Sequence, residues 1–215
     1  MPYGVRVGTT PTETADRRPA PRRQARGVAR RDAIVRAAAD LILQDGPAAV
    51  THRAVATRAD VPLAATTYYF TGLDDLIGAA GQVIAAGWAE HAREAASSAI
   101  RRGPGVRRTS TASAEVLVDA VLPPGGEAEV RGFYEHLVGA GSYPSLARAY
   151  GDGRHRLDTA VAHALTVLGV EQGATPGVVV ATVDGAAVSA LSEGRDVRAL
   201  AVRLVAELLD GVRRD

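Results

Sequence analysis

From Arg30 onward the apolar residues fall on a helical period. Ile34, Val35, Ala38, Leu41 and Ile42 stand at i, i+1, i+4, i+7 and i+8, one face of a helix. Gly46-Pro47 ends that helix, because Gly suits the left-handed residue after a helix and Pro cannot continue it. Thr51 fits the N-cap of a short helix running to Ala59. Asp60-Val61-Pro62 then makes a tight turn: Pro62 pushes Val61 into extended backbone and suits the first turn of a helix over 63–70. Thr71-Gly72 breaks the pattern again, and a long helix follows over about 73–99. Two short helices joined by a tight turn and flanked by longer ones form helix-turn-helix geometry. That arrangement projects a short helix from the body, so that it can enter a major groove about 12 Å wide.

Helical signals continue beyond residue 102. Arg102 to Gly105 reads as a loop, 114–122 as a helix stopped by Pro123-Pro124-Gly125-Gly126, and 127–138 as an amphipathic helix carrying Val130, Phe133, Tyr134 and Leu137. A break over 139–144 precedes a helix over 146–168, weakened by Gly151 and Gly153, since mid-helix Gly costs about 1 kcal/mol against Ala. Thr175-Pro176 is an N-cap followed by Pro at the first helical position. Val179, Val183, Ala186, Ala187, Ala190 and Leu191 form the next stripe, ended by Gly194. Asp196 can cap a last helix with Val197, Leu200, Leu204, Leu208 and Val212 on one side. No strand alternation and no internal repeat interrupts this pattern, so the fold class is all-α.

Composition narrows the picture. Of 215 residues 47% are apolar and only 4% aromatic, which suits helices packed through small side chains. No run of 18 apolar residues exists, so no segment is expected to span a membrane. The first 30 residues lack the apolar core of a signal peptide, and cysteine is absent; a cytoplasmic location is the default expectation. The net charge of +1 conceals an asymmetry. Residues 1–60 hold 11 Arg against 6 acids (+5), and residues 61–215 hold 14 Arg against 18 acids (−4). A basic N-terminal end on an acidic body suits contact with a polyanion, although a solvated tail gives the same composition. Residues 1–29, with four Pro and an Arg cluster at 17, 18, 22, 23 and 26, read as a flexible arm.

The stretch Val50 to Ile77, VTHRAVATRADVPLAATTYYFTGLDDLI, resembles the TetR family. Thr51 matches the family's capping Thr, Val55-Ala56 its aliphatic-Ala pair, Ala59 and Val61 its turn, Phe70 its terminal Phe, and Leu76 the Leu of the following helix. The preceding RRDAIVRAAADLILQDGPAAVT is similar to the family's first helix and its Gly-containing connection. Asp184-Gly185 inside an apolar helix, with an Arg- and Leu-bearing last helix, resembles the dimerisation region. Several positions depart from the pattern. The turn Gly is Asp60, the capping Ser is Pro62, the Tyr is Thr67, the His is Tyr69, and Leu73 stands where a phosphate-contacting Lys is expected.

The resemblance implies an N-terminal helix-turn-helix DNA-binding domain over 30–72 and a C-terminal ligand-sensing and dimerisation domain over 73–215. It implies a dimeric regulator, by family default a repressor, that leaves its pseudo-palindromic double-stranded DNA operator when a small molecule binds. Thr51, His52 and Arg53, at the start of the first short helix, are expected near phosphate, where orphan N–H groups point outward. Leu63, Ala64 and Thr66 are expected to face base edges, and Thr67, Tyr68 and Tyr69 to donate to phosphate oxygens. His52 and Arg53 could equally be ordinary surface residues, and Tyr68 or Tyr69 packing groups. Helices over 74–170 are expected to enclose a pocket for an apolar or aromatic effector, with Trp88, His91, Phe133, His136, Leu137, Tyr143 and Tyr150 as candidate lining. Each of these could instead fill the core. The stripes over 175–212 are expected to form a homodimer. Two other readings fit the same residues: a helical interaction module that has lost DNA binding, and a helical enzyme. The sequence carries no nucleophile elbow, P-loop or dinucleotide fingerprint, and its nearest approach to a metal motif is His91 with Glu94. No cofactor is expected.

Overall fold

The computed structural model describes residues 21–101, 109–172 and 174–212. Within them the chain is helical: α1 (Pro21–Asp45), α2 (His52–Arg58), α3 (Leu63–Tyr69), α4 (Leu73–Arg101), α5 (Ser110–Val121), α6 (Glu127–Gly139), α7 (Pro144–Leu168), α8 (Pro176–Glu193) and α9 (Val197–Val212). Short 3₁₀ turns at Pro47–Ala49 and Ala140–Ser142 join α1 to α2 and α6 to α7. Among the described residues no strand forms, and no helix is long and apolar enough to cross a membrane.

The helix ends follow from side-chain caps. Thr51 Oγ1 accepts from the Ala54 N–H at 3.1 Å, and Asp196 Oδ1 accepts from Ala199 N–H at 2.7 Å. Thr175 accepts from Val178 N–H at 3.4 Å, with Pro176 behind it. Gly169 and Gly194 close α7 and α8 with φ of 66° and 67°, a conformation Gly adopts without a Cβ penalty. Thr109 caps α5 one turn earlier than the apolar pattern indicates.

The start of α1 also departs from the sequence reading. Residues 21–29 are helical instead of belonging to a loose arm. Gly27 lies beside α3: a Cβ placed on it would be 3.6 Å from the Tyr69 hydroxyl. A polar, Arg-rich segment shows no apolar period, so this extension of the helix is invisible to pattern. Residues 1–20, including Arg17 and Arg18, and the loop Arg102 to Gly105 lie outside the described residues.

Two apolar cores result. The first gathers Ile34, Ile42, Val50, Val55, Phe70, Leu76 and Leu146 from α1 to α4 and the start of α7. The second gathers Leu117, Val121, Val161, Leu165, Val183 and Leu209 from α5 and α7 to α9, against Ala92 and Ala96 of α4. Full burial of each Leu, Ile, Val or Phe contributes about 1.5–3 kcal/mol. α4 belongs to both cores and makes its most extensive packing with α7. That seam is built from small residues. A Cβ on Gly81 would meet Leu146 Cδ1 at 2.7 Å and Ala149 Cβ at 2.9 Å, and one on Gly153 would meet Ala85 Cβ at 2.6 Å. Ser145 Oγ donates to Asp74 Oδ1 at 2.6 Å, fastening the start of α7 to the start of α4.

Candidate nucleic-acid interface and ligand site

α2 and α3 form one rigid unit. Thr66 Oγ1 donates to the Leu63 carbonyl at 2.8 Å, so it must accept from His52 Nδ1, 3.0 Å away. The His52 ring is therefore the tautomer protonated at Nδ1, and it is spent on joining the two helices. The turn between them depends on Asp60 at φ 52°, the only positive-φ residue other than Gly among those described. Asp tolerates this left-handed conformation better than most side chains, which explains how it occupies the family's Gly position. Below the unit, the Arg31 guanidinium of α1 sits 5.1 Å from the Phe70 ring centroid. Arg58 donates to Gln44 Oε1 at 2.8 Å, tying α2 back to α1.

The outward face of α3 is Leu63, Ala64, Thr67 and Tyr68, at i, i+1, i+4 and i+5. Leu63 is 47% exposed and Tyr68 82%. Thr66, expected on this face, is 0% exposed; it lies one step round the helix, where its hydroxyl is satisfied inside. Tyr69 is half-buried, with the Tyr68 ring edge-on at 5.0 Å. Thr51 and Arg53 are exposed at the start of α2. Leu73 packs against the first core, so it offers no charge where the family pattern has Lys.

The predicted ligand residues separate into three groups. Trp88, Phe133, His136 and Tyr150 join in a chain of edge-to-face rings, with centroids 4.8, 5.1 and 6.1 Å apart. Trp88 Nε1 donates to the Val121 carbonyl at 2.8 Å. The Gly132 carbonyl, 3.1 Å from His136 Nδ1, fixes the proton there, and Tyr150 Oη donates to Nε2 at 2.9 Å. Burial lowers the His136 pKa, opposed by the bond to Gly132, and burial raises the Tyr150 hydroxyl. Leu137 packs on the second core and Tyr143 on the first, outside the run of ring-to-ring contacts. His91 is separate again. It lines an open cleft of about 750 Å³ with Glu94, Asp119, Pro124, Glu127 and Arg198. Of the seven predicted residues only His91 reaches that cleft. The seven candidates thus stand in three places, with small helix-packing residues bringing the rings against one another.

Two groups, placed by the sequence on their helices, were not among its site candidates. Tyr134 adds its ring to Phe133 at 5.3 Å, and its hydroxyl donates to Asp184 Oδ1 at 3.0 Å. Burial pushes the Asp184 carboxyl up, partly offset by Tyr134 and Arg154, and burial with the Asp184 charge pushes Tyr134 up. A lone Asp in the apolar stripe of α8 was the available signal. Among the described residues no group of three or more His, Asp or Glu is placed to hold a metal ion.

Residues 105–211 match the model of the tetracyclin repressor-like C-terminal domain. Solved structures extend the likeness across both domains. The multidrug binding protein EbrR complexed with ethidium is 27% identical, with a TM-score of 0.58, covering 83% of this chain and 98% of its own. The EbrR complex with proflavin is 28% identical, with a TM-score of 0.57 and coverage of 83% and 99%. A transcriptional regulator from Rhodococcus sp. Rha1 shares the fold at 21% identity, with a TM-score of 0.59 and coverage of 86% and 96%. Among curated proteins none matches the chain.

Proposed function

The chain belongs to the TetR family of transcriptional regulators, and from that premise we propose that it is a homodimeric repressor released from its operator by a planar aromatic molecule. The observation that carries this reading is the outward face of α3, where Leu63 and Tyr68 stand exposed on a helix locked to α2 through His52 and Thr66. An outward-facing apolar pair on a short helix fits a major groove, where thymine methyl groups offer apolar contact. Thr51, Arg53 and the Tyr68 hydroxyl supply the surrounding polar contacts.

The dimer would form through α8 and α9. Val178 and Val188 are exposed on α8, and Leu191, Val202, Leu204 and Leu208 are half-buried. Paired with a second copy they make a four-helix interface, which sets two α3 helices one duplex turn apart, about 34–36 Å.

The effector site is the ring chain of Trp88, Phe133, Tyr134, His136 and Tyr150. The similarity of the chain as a whole to EbrR, solved with ethidium and with proflavin, favours a flat polycyclic ligand. Such a molecule can enter only by parting the rings. That displaces α4, which carries Trp88, relative to α6 and α7. Because two residues, Thr71 and Gly72, separate Phe70 from the start of α4, the displacement is passed to α3. The coupling requires only that ligand bind the displaced state better.

Trp88 is the sole Trp, so its fluorescence reports this site directly. Proflavin is expected to quench Trp88, and Phe133→Ala to weaken that quenching, both measured without DNA. A quenching ligand that does not intercalate should also lower DNA retention. Tight binding with unchanged DNA affinity would refute the release mechanism.

A further inference from the structure

α3 is Leu-Ala-Ala-Thr-Thr-Tyr-Tyr, without Arg, Lys, Asn or Gln. Bidentate reading of guanine requires Arg or Lys, and of adenine Asn or Gln. The neighbouring helix does not make up the deficit. Arg58 is held back by Gln44, with Asp45 at 3.9 Å, and Arg53, which lines one shallow cleft with Leu63, stands exposed at the N-terminus of α2, where it is assigned to phosphate. What faces outward is the Leu63 isobutyl group, the Ala64 methyl, Thr67 and the Tyr68 ring. Thr67 Oγ1 donates to the Ala64 carbonyl at 3.2 Å, so its proton is used within the helix and its methyl remains. Thr66, the other hydroxyl, is buried.

We infer that α3 reads its operator through pyrimidine C5-methyl groups, above all those of thymine, and makes no bidentate contact to guanine. The inference rests on the DNA-binding reading above. The C5-methyl is the one apolar group in the major groove, and only thymine among the unmodified bases carries it. A surface of methyl and aliphatic groups gains by covering it, and gains nothing at a guanine edge, where two acceptors would lose water unpaired.

The test uses the full-length dimer and a site selected from random duplexes. Each thymine under α3 is replaced in turn by deoxyuracil, which keeps pairing and hydrogen-bond edges and removes only the methyl. Affinity should fall about four-fold per contacted methyl, the worth of one buried methyl-sized group. Leu63→Ala and Thr67→Ser should bring the thymine-to-uracil ratio toward one at the base each touches, while Thr67→Val keeps it. Leu63 and Thr67 are exposed, so these variants retain the fold, as circular dichroism will show. A 5-methylcytosine arm separates the two sources of the methyl: recovery of affinity when it replaces cytosine at an uracil-weakened site shows that the methyl itself is read. The inference is overturned if uracil substitution is neutral throughout, or if selection demands guanine under α3. Failure of the underlying reading looks different, because then no duplex is selected at any salt concentration.

Discussion

Gly151 and Gly153 lie two residues apart in α7, and the same substitution should act oppositely at each. Gly151 is exposed, and a Cβ there meets nothing within 4 Å. Gly151→Ala therefore gains helix propensity alone, about 0.5–1 kcal/mol. For a chain of this length that is a rise in Tm of about 1–4 °C. Gly153 is buried, and its added Cβ would stand 2.6 Å from Ala85 Cβ on α4. That neighbour is bonded directly to the α4 backbone, so relief requires the two helices to part. Overpacking of this kind costs about 1–3 kcal/mol, against the same propensity gain. The two variants should differ by about 1–3 kcal/mol, with Gly153→Ala the less stable. Thermal and urea unfolding followed by circular dichroism measures this, at matched protein concentration because dimerisation shifts Tm. Ala85→Gly in the Gly153→Ala background should recover the packing loss, giving a coupling of about 1 kcal/mol or more in a double-mutant cycle. Equal stabilities for Gly151→Ala and Gly153→Ala would refute the close approach of α4 and α7.

Other outcomes follow from single contacts. His136 has a folded-state pKa below its ordinary 6.5 because it is buried. Its stabilising contribution is therefore complete above about pH 6.5 and is lost as pH falls through the depressed value; His136→Gln should flatten the stability-versus-pH curve there, and an unchanged slope would contradict the assignment. Asp60 holds φ at 52°, so Asp60→Val should lose about 1–2 kcal/mol while Asp60→Gly stays within about 0.5 kcal/mol of the parent; equal unfolding midpoints would remove the left-handed turn from the account. Arg53 is exposed at the start of α2 and occurs twice in a dimer, so Arg53→Gln should reduce the slope of log affinity against log salt by about two. A slope unchanged within error would take Arg53 off the phosphates.

The helices were legible wherever a one-sided apolar stripe met a capping residue, as at Thr51, Thr175 and Asp196. What pattern cannot carry is the identity of the partner. Gly153 reads as a defect in a helix until Ala85 is seen opposite it. Thr66 reads as a base contact until His52 and the Leu63 carbonyl are found to occupy its hydroxyl. The α1 extension over residues 21–29 has no apolar period, and its contact with Tyr69 joins residues more than 40 apart. The aromatic candidates stand out in sequence as bulky groups in a small-residue body. Their division into a closed ring chain, two core-packing residues and a separate His91 depends on helix placement, which no local signal encodes.

The central claim is dimeric operator binding through α3, and genomic footprinting with the purified protein tests it most directly. Bound fragments are selected and footprinted, then challenged again at raised salt. The account predicts protection of a pseudo-palindrome, with half-sites about one duplex turn apart and affinity falling steeply with salt. Failure to recover any specific fragment at any salt concentration would contradict it and favour a helical interaction module whose helix-turn-helix no longer meets DNA.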